Sequence, residues 1–182
     1  MNAFTDEHLM QQVKDGKTDK LSLLFDRYNH QIFNFFLKFS GNQEISKDLT
    51  QNVFLRVLKY KTSYSESKSF KSWIYQIARN VRIDNYRESK IQHRAVEISY
   101  YFENNISIDE NNTIEKKEEL ALLQNALMKM PHEKREILIM SQLQNIKHKE
   151  IAEILGITEN AARVKIFRAI KELSVLFKMI SK

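Results

Sequence analysis

Between residues 158 and 171 the chain places an amide, guanidinium groups, ammonium groups and an aromatic ring at spacings that fit one side of a helix. Amide, guanidinium and apolar groups read the edges of bases, and cations hold phosphates. This combination therefore favours contact with DNA. The residues expected there are Thr158, Asn160, Arg163, Val164, Lys165, Phe167, Arg168 and Lys171. The expected base contacts are Arg163, Val164, Phe167 and Arg168, with Lys165 and Lys171 nearer the phosphates.

The segment around these residues has the pattern of a helix-turn-helix, with helices expected over 147–155 and 158–177. Ala152 is small enough for a second helix to cross closely, and Gly156 suits the left-handed end of the first helix. Thr158 suits the cap of the second helix. The side of that helix expected to pack inward carries Ala162, Ile166, Ala169 and Leu173.

Two features of this segment leave alternatives open. Lys147 stands where a Ser or Thr normally caps a helix and pairs with a residue such as Glu150, so the first helix is expected to start from Asn145. A helical hairpin with solvated charges would have a similar composition. Phe167 favours DNA over that alternative, because an exposed ring among cations suits a thymine methyl group better than bare solvent.

The elements that position these side chains are expected to be helices throughout. The chain of 182 residues has 3 Gly, 1 Pro and no Cys, too few turn residues for a sandwich, a barrel or a wound sheet. Apolar residues recur at three- and four-residue spacing, as in Leu21, Leu24, Phe25 and Tyr28. Pro131 is expected in the first turn of a helix that buries Ile137, Leu138 and Met140. The fold class is therefore all-α.

The organisation along the chain favours two small helical domains. We expect the first at 1–90 and the second at 115–182, with a flexible acidic linker at 91–114. Residues 79–94 hold five basic and two acidic residues, whereas residues 103–119 hold six acidic and two basic ones. A basic patch is thus expected beside an acidic connector.

Several classes of protein are disfavoured by what the chain lacks. Without Cys, and with His only at 8, 30, 93, 132 and 148, it offers no metal-binding motif. Glycines at 16, 41 and 156 cannot form a phosphate-binding loop. We therefore expect no enzyme, metal or cofactor. The mixed N-terminus and the absence of about 18 consecutive apolar residues predict a cytoplasmic protein without membrane insertion.

The two halves together resemble the sigma factors of the extracytoplasmic-function class, which keep the second and fourth conserved regions of larger sigma factors. The resemblance covers nearly the whole chain. It lies in Asp48-Leu-Thr-Gln-Asn-Val-Phe-Leu-Arg-Val57, and in Phe70-Lys-Ser-Trp-Ile-Tyr-Gln-Ile-Ala-Arg-Asn80 followed by Asp84 and Arg87. In the second half it lies in Met130-Pro131, Arg135-Glu136 and the helix-turn-helix. These motifs are degenerate singly but specific in this order and spacing.

The resemblance implies that Asp48, Gln51, Asn52 and Phe54 bind the core RNA polymerase. Asp48, Gln51 and Phe54 follow at three-residue steps, so one helical side would offer two polar groups and an aromatic anchor. Asn52 departs from the Glu that the family usually has there. Phe54 is equally compatible with an ordinary core residue.

The resemblance also implies a contact with the minus-10 promoter element. The polar loop at 61–69 would hold a base flipped from the duplex, with Tyr64, Ser65, Ser67 and Lys68 contacting it. A plain surface loop is the alternative. The following helix would present Asn80, Asp84 and Arg87 to the element, with Arg79, Arg82 and Lys90 on phosphates. The spacing of Trp73 favours core packing over base stacking.

The function that the resemblance implies is an alternative sigma factor that directs RNA polymerase core to minus-35 and minus-10 elements of promoter DNA. Such proteins are commonly held inactive by an anti-sigma factor. The alternative is a free-standing, dimeric helix-turn-helix regulator that reads a palindrome. That alternative leaves the first domain, with its basic helix and polar loop, without a role. A helical scaffold protein would not need the cationic side of the last helix.

Overall fold

A computed structural model describes the backbone of residues 5–92 and 114–181 and the side chains of 5–88 and 118–181. Within these ranges the chain forms eight α-helices and no strand, which confirms the all-α prediction. The helices are α1 Asp6–Lys14, α2 Leu21–Ser40, α3 Gln43–Lys59, α4 Phe70–Gln92, α5 Ile114–Lys129, α6 His132–Leu138, α7 His148–Leu155 and α8 Glu159–Ile180. Two compact units, which we call unit 1 and unit 2, span Met1–Asn104 and Asn105–Lys182. The expected linker at 91–114 lies almost entirely outside the described residues.

The helices of unit 1 begin and end at residues suited to those positions. The Thr5 hydroxyl accepts a hydrogen bond from the His8 amide and caps α1. Gly41, with φ of 63°, ends α2 in the left-handed conformation that costs glycine little. The Asn42 side chain then accepts from the Ile45 amide at the start of α3. This Gly-Asn pair turns the chain sharply between two packed helices.

An aromatic cluster forms much of the core of unit 1. Phe35 of α2 lies edge-on to Tyr75 of α4, with 5.7 Å between ring centroids. Tyr28 and Phe70 meet in the same edge-on geometry at 5.2 Å. Trp73 is buried, which confirms that it packs in the core. Such ring pairs add to the stability given by apolar burial and fix α2 against α4.

In unit 2, α6 is joined to the helix-turn-helix by a π-helical turn, Ile139–Leu143. Pro131 is the N-cap of α6 rather than a residue of its first turn, because its ψ of 139° is extended. The expected start of α7 at Asn145 is wrong. Asn145 has φ of 49°, outside the helical region, and α7 begins after Lys147, whose amide donates to Glu150 Oε2 at 3.0 Å.

The helix-turn-helix itself forms as its residues predict. Gly156 has φ of 65° and ends α7 in the left-handed region. The Thr158 hydroxyl accepts from the Ala161 amide and caps α8. The inward side of α8 buries Ala162, Ile166 and Ala169, while Leu173 is half-buried. α8 packs against α5, α6 and α7, so its opposite side faces solvent.

Candidate nucleic-acid interface

The outward side of α8 carries the side chains expected at DNA. Phe167 has 69% of its surface exposed in the middle of α8, more than its exposed apolar neighbours Val164 and Ile170. The rest of the exposed set is cationic, polar or small: Asn160, Arg163, Val164, Lys165, Arg168 and Lys171. An exposed phenyl ring does not stabilise a helix that stays in solvent. In the major groove of DNA the same ring can pack against a thymine methyl group. The structure therefore places these residues on one accessible surface, which we call the α8 face.

Two members of the predicted set on this helix have intramolecular partners. Arg163 Nη2 lies 2.6 Å from Glu159 Oε1, one helical turn earlier. Thr158 already uses its hydroxyl to cap α8. Both residues remain at the exposed N-terminal end of α8, where amides and partial positive charge also favour phosphate. Glu159 thus lowers the positive charge of the α8 face.

The expected side of α4 is only partly open. Asn80 and Arg87 are exposed, as predicted. Asp84, expected to be exposed on the same side, is half-buried and forms an ion pair with Arg56 of α3, 2.7 Å between Oδ2 and Nη1. Arg82 is half-buried, with its guanidinium carbon 4.4 Å from the Phe39 ring centroid.

Arg79 is also half-buried on α4. Because Arg79 is half-buried, only part of its side chain is accessible for a contact with a phosphate. The side chain of Lys90 lies outside the described residues. We call the exposed polar pair Asn80 and Arg87, with the partly accessible Arg79 and Asp84, the α4 face; Asn85 and Glu88 of the same helix are exposed as well.

The loop between α3 and α4 begins with a 3-10 turn, Lys61–Ser63, and exposes Ser65, Ser67 and Lys68 as expected. The Ser65 and Ser67 hydroxyls are 2.9 Å apart and share a hydrogen bond. Hydroxyl groups and an ammonium group at a loop tip can hydrogen-bond a base and neutralise a phosphate. The loop therefore keeps polar groups suited to a nucleotide.

Tyr64 is the exception in this loop, because the prediction that it contacts DNA from an exposed position is wrong. Only 1% of its surface is exposed, its ring centroid lies 5.2 Å from that of Trp73, and its hydroxyl donates to the Lys68 carbonyl at 3.0 Å. Burial raises the pKa of the Tyr64 hydroxyl well above its ordinary value, and the nearby Glu7, Glu66 and Asp6 add to this. Tyr64 is a structural anchor of the loop.

Helix α3 exposes Asp48, Gln51 and Asn52, as the resemblance implied. The prediction that Phe54 joins them is wrong, because Phe54 is buried and packs against Phe25 of α2 with 4.7 Å between ring centroids. The most exposed apolar residue of α3 is Leu55, with 66% of its surface exposed. We call Asp48, Gln51, Asn52 and Leu55 the α3 face; they follow at three-, four- and seven-residue steps from Asp48.

Leu55 was missed because the three-residue steps from Asp48 and Gln51 lead to Phe54, an aromatic residue. The four-residue step from Gln51 leads to Leu55 instead, and both steps occur on a helix. Among the residues that the structure describes, no group of His, Asp and Glu side chains could hold a metal ion. None of the described helices is long and apolar enough to cross a membrane.

The fold and these surfaces define a helical DNA-binding protein with two units, one of which carries a helix-turn-helix. Two family models match: sigma-70 region 2 over residues 24–91 and sigma-70 region 4 over residues 120–173. The chain therefore belongs to the sigma-70 family, and its relatives place it among the extracytoplasmic-function sigma factors, which direct transcription initiation.

The relatives match over most of their length. The RNA polymerase sigma factor SigZ of Bacillus subtilis is 28% identical over 153 residues, which are 84% of each chain. The extracytoplasmic-function sigma factor SigM of the same organism is 28% identical over 156 residues, covering 85% of this chain and 93% of SigM.

Two solved structures share the fold. CnrH, in complex with the cytosolic domain of CnrY, matches with a TM-score of 0.72 and 21% identity over 96% of this chain and 97% of CnrH. Sigma factor RpoE of Bartonella quintana, in complex with the anti-sigma factor NepR, matches with a TM-score of 0.68 and 18% identity over 87% of this chain and 96% of RpoE.

Proposed function

We propose that this sigma factor binds the core RNA polymerase through the α3 face and reads promoters with both units. Residues 1–90 bind the polymerase and the minus-10 element, residues 115–182 bind the minus-35 element, and residues 91–114 connect them. The observation that carries this proposal is the α3 face itself. A DNA-binding regulator has no evident use for an exposed leucine among polar groups on a helix of the unit that does not carry the helix-turn-helix.

Binding of the polymerase by the α3 face follows from its composition. Leu55 supplies an apolar anchor, and Asp48, Gln51 and Asn52 supply hydrogen-bonding groups around it. Protein interfaces commonly combine a buried apolar residue with polar groups at its rim. Asn52 is uncharged, whereas the family usually has a negatively charged Glu at this position. Asp48 is therefore the acidic residue of the α3 face.

Recognition of the minus-35 element is assigned to the α8 face. Phe167 and Val164 supply apolar contacts for thymine methyl groups, and Arg168 can donate two hydrogen bonds to a guanine. Lys165 and Lys171 are placed to contact phosphates on either side. α8 is long enough to enter the major groove while α7 crosses the backbone.

Recognition of the minus-10 element is assigned to the loop at 61–69 and to the α4 face. Ser65, Ser67 and Lys68 surround the site of a single unstacked base. Asn80 and Arg87 extend this surface along α4 toward the neighbouring nucleotides. Tyr64 takes no direct part, since it is buried beneath the loop.

We further propose that an anti-sigma protein regulates this chain, because the Bartonella quintana relative is bound to one. Such a partner would cover the α3 face or the α8 face, which expose the largest apolar side chains assigned to function, Leu55 and Phe167. We propose the cytoplasm as the place of action, since bacterial RNA polymerase and its promoters are there.

The test is size-exclusion chromatography of the full chain mixed with sigma-free bacterial RNA polymerase core at physiological salt. We expect co-elution, and we expect Asp48→Ala with Gln51→Ala to weaken it. The matched control is Asp26→Ala with Gln31→Ala, which removes the same exposed residue types from α2. Clean separation from the polymerase, with binding of palindromic DNA as a dimer, would instead identify a free-standing regulator.

A further inference from the structure

Helix α1 contacts both ends of the loop to which the minus-10 base is assigned. Lys14 Nζ donates to the Tyr64 carbonyl oxygen at 2.7 Å, just before the loop tip. The Phe70 amide donates to Glu7 Oε1 at 3.1 Å, at the point where α4 begins. The residues in between, 65–69, therefore span two fixed points that are both held by side chains of one helix.

Each of these contacts satisfies a backbone group that the loop leaves without a helical partner. Phe70 is the first residue of α4, and its amide has no intrahelical acceptor. The Glu7 carboxylate also brings negative charge to a helix N-terminus, where it is favourable. The Tyr64 carbonyl lies in extended backbone after the 3-10 turn, and the Lys14 ammonium group gives it a charged donor.

The loop is held from beneath as well. The Tyr64 ring is buried beside Phe70 and Trp73, with centroid distances of 6.1 and 5.2 Å, and its hydroxyl donates to the Lys68 carbonyl. That hydrogen bond crosses the loop and closes Ser65, Glu66 and Ser67 into a short arch. The exposed hydroxyls of this arch therefore stand on a buried aromatic support.

Helix α1 is itself fixed to the body of unit 1. Asp6 accepts from Arg27 Nη1 and from the Tyr28 hydroxyl, each at 2.5 Å. Leu9, Met10 and Val13 are fully buried. Because α1 is anchored in this way, a shift of the loop requires breaking the contacts of Glu7 or Lys14 rather than moving the helix.

From this geometry we infer that Glu7 and Lys14 are positioning residues that set the shape of the loop and thereby its choice of base. The inference rests on the proposed minus-10 function of the loop and extends it to helix α1. A base held by hydrogen bonds is discriminated only if donors and acceptors stay within a narrow geometry, and backbone anchors at both ends provide that. Neither Glu7 nor Lys14 needs to touch DNA.

The experiment uses holoenzyme, formed from the full chain and sigma-free polymerase core. It selects bound molecules from a library of short single-stranded DNA of random sequence. The preference for the most enriched base at each position is compared among wild type, Lys14→Met and Glu7→Gln. The matched control for Lys14→Met is Lys17→Met, and the matched control for Glu7→Gln is Asp26→Asn. Each control removes the same charge from an exposed residue, Lys17 just after α1 and Asp26 on α2. Lys14→Arg tests rescue, since it keeps a charged donor.

We expect Lys14→Met to reduce the base preference at one position by about tenfold, the effect of losing a charge-assisted hydrogen bond. We expect Glu7→Gln to reduce it less, because the Gln carbonyl oxygen can still accept from the Phe70 amide without the negative charge. The controls keep the wild-type preference, and Lys14→Arg restores most of it. Co-elution with the polymerase stays unchanged in every variant, because the α3 face is untouched. The melting temperature of every variant is measured in parallel. Tyr64→Phe is included in that series because it keeps the ring and removes the hydrogen bond to the Lys68 carbonyl.

Unchanged base preference in Lys14→Met and Glu7→Gln overturns the inference while the proposed function stands. A preference that falls only in proportion to melting temperature across all variants, controls included, also overturns it, since α1 then acts on stability alone. Absence of any base preference in the wild-type holoenzyme overturns the minus-10 assignment and, with it, this inference.

Discussion

Arg56 of α3 forms an ion pair with Asp84 of α4, and the same guanidinium group donates from Nε to Asn52 Oδ1 at 3.0 Å. Asn52 belongs to the α3 face and Asp84 to the α4 face. Arg56 therefore connects the surface assigned to the polymerase with the surface assigned to promoter DNA. The connection also neutralises a carboxylate that would otherwise repel DNA phosphates.

Replacing Arg56 by Met should weaken binding of single-stranded DNA by the holoenzyme, because Asp84 is then an unpaired negative charge at the α4 face. Adding Asp84→Asn should restore binding, since the charge is gone. Fluorescence titration of the two variants measures the effect, with Lys47→Met on the exposed part of α3 as the control. Equal affinities in Arg56→Met and in the double variant would contradict the pairing argument.

The same pair should contribute little to stability. Both side chains are partly exposed, so solvent screens their attraction, and we expect a coupling free energy of about 0.5 kcal/mol or less in a double-mutant cycle of Arg56→Ala and Asp84→Ala. Chemical denaturation followed by circular dichroism measures it. A coupling of several kcal/mol would mean that the pair is a major stabilising contact between α3 and α4.

Leu55→Ala should weaken association with the polymerase core about tenfold, because the variant loses most of the apolar surface that the contact would bury. Leu23→Ala is the matched control on α2, where the leucine is 41% exposed and outside the α3 face. Sedimentation or labelled-chain competition against wild type measures the affinity. If both variants bind as the wild type does, the polar residues alone carry the contact.

Phe54 and Leu55 show how far helical spacing determines a surface. Periodicity located α3 and identified Asp48 and Gln51 as outward residues, but steps of three and of four residues diverge by about 100° of helical rotation. The choice between the two apolar neighbours depends on where α2 packs, and Phe25 occupies the side to which Phe54 turns. Contacts between residues distant in the sequence therefore determine that Phe54 is buried and Leu55 is exposed.

The prediction for Tyr64 was wrong for a related reason. The segment around it is rich in serine and lysine, which is the composition of an exposed loop. The burial of Tyr64 comes from Phe70 and Trp73 of the next helix. The role of α1 was also hidden, because Glu7 and Phe70 are 63 residues apart. The turn and the second cap of the helix-turn-helix were predicted correctly because their signals, Gly156 and Thr158, are local, whereas the expected start of α7 at Asn145 was wrong.

Phe167→Ala should reduce affinity for minus-35 duplex by about tenfold without lowering the free energy of unfolding, since the ring is exposed in the free protein. Met179→Ala is the matched control: Met179 is 71% exposed near the end of α8, beyond the α8 face. Electrophoretic mobility shift and thermal melting measure the two quantities. A drop in stability with unchanged DNA affinity would assign Phe167 a packing role.

Glu159→Gln should strengthen DNA binding by releasing Arg163 for phosphate or base contact. Removal of one negative charge helps in any case, so the test is a double-mutant cycle with Arg163→Ala. The gain from Glu159→Gln should be larger when Arg163 is present. Salt titration supplies a second measure, because a further phosphate contact steepens the dependence of log affinity on log salt by about 1. Additive effects would argue against competition between Glu159 and DNA.

Tyr64 should make unit 1 sensitive to alkaline pH. Its pKa is raised above the ordinary value of 10.0, mainly by burial and further by Glu7, Glu66 and Asp6, so the folded state holds the phenolic proton more tightly than the unfolded state. The resulting stability is fully present below pH 10.0 and is lost as the pH rises through that value toward the folded pKa. The free energy of unfolding should therefore fall by up to about 1.4 kcal/mol per pH unit from this group.

Chemical denaturation at several alkaline pH values measures this decline in wild type and in Tyr64→Phe. The variant loses the hydroxyl and should decline less steeply, although it is less stable at neutral pH because the bond to the Lys68 carbonyl is gone. Because the two proteins differ only in the Tyr64 hydroxyl, the difference in slope isolates the ionisation of that phenol. Tyr60→Phe removes an exposed hydroxyl and should keep the wild-type slope. Identical slopes for wild type and Tyr64→Phe would mean that the Tyr64 hydroxyl is as accessible to ionisation in the folded chain as in the unfolded one.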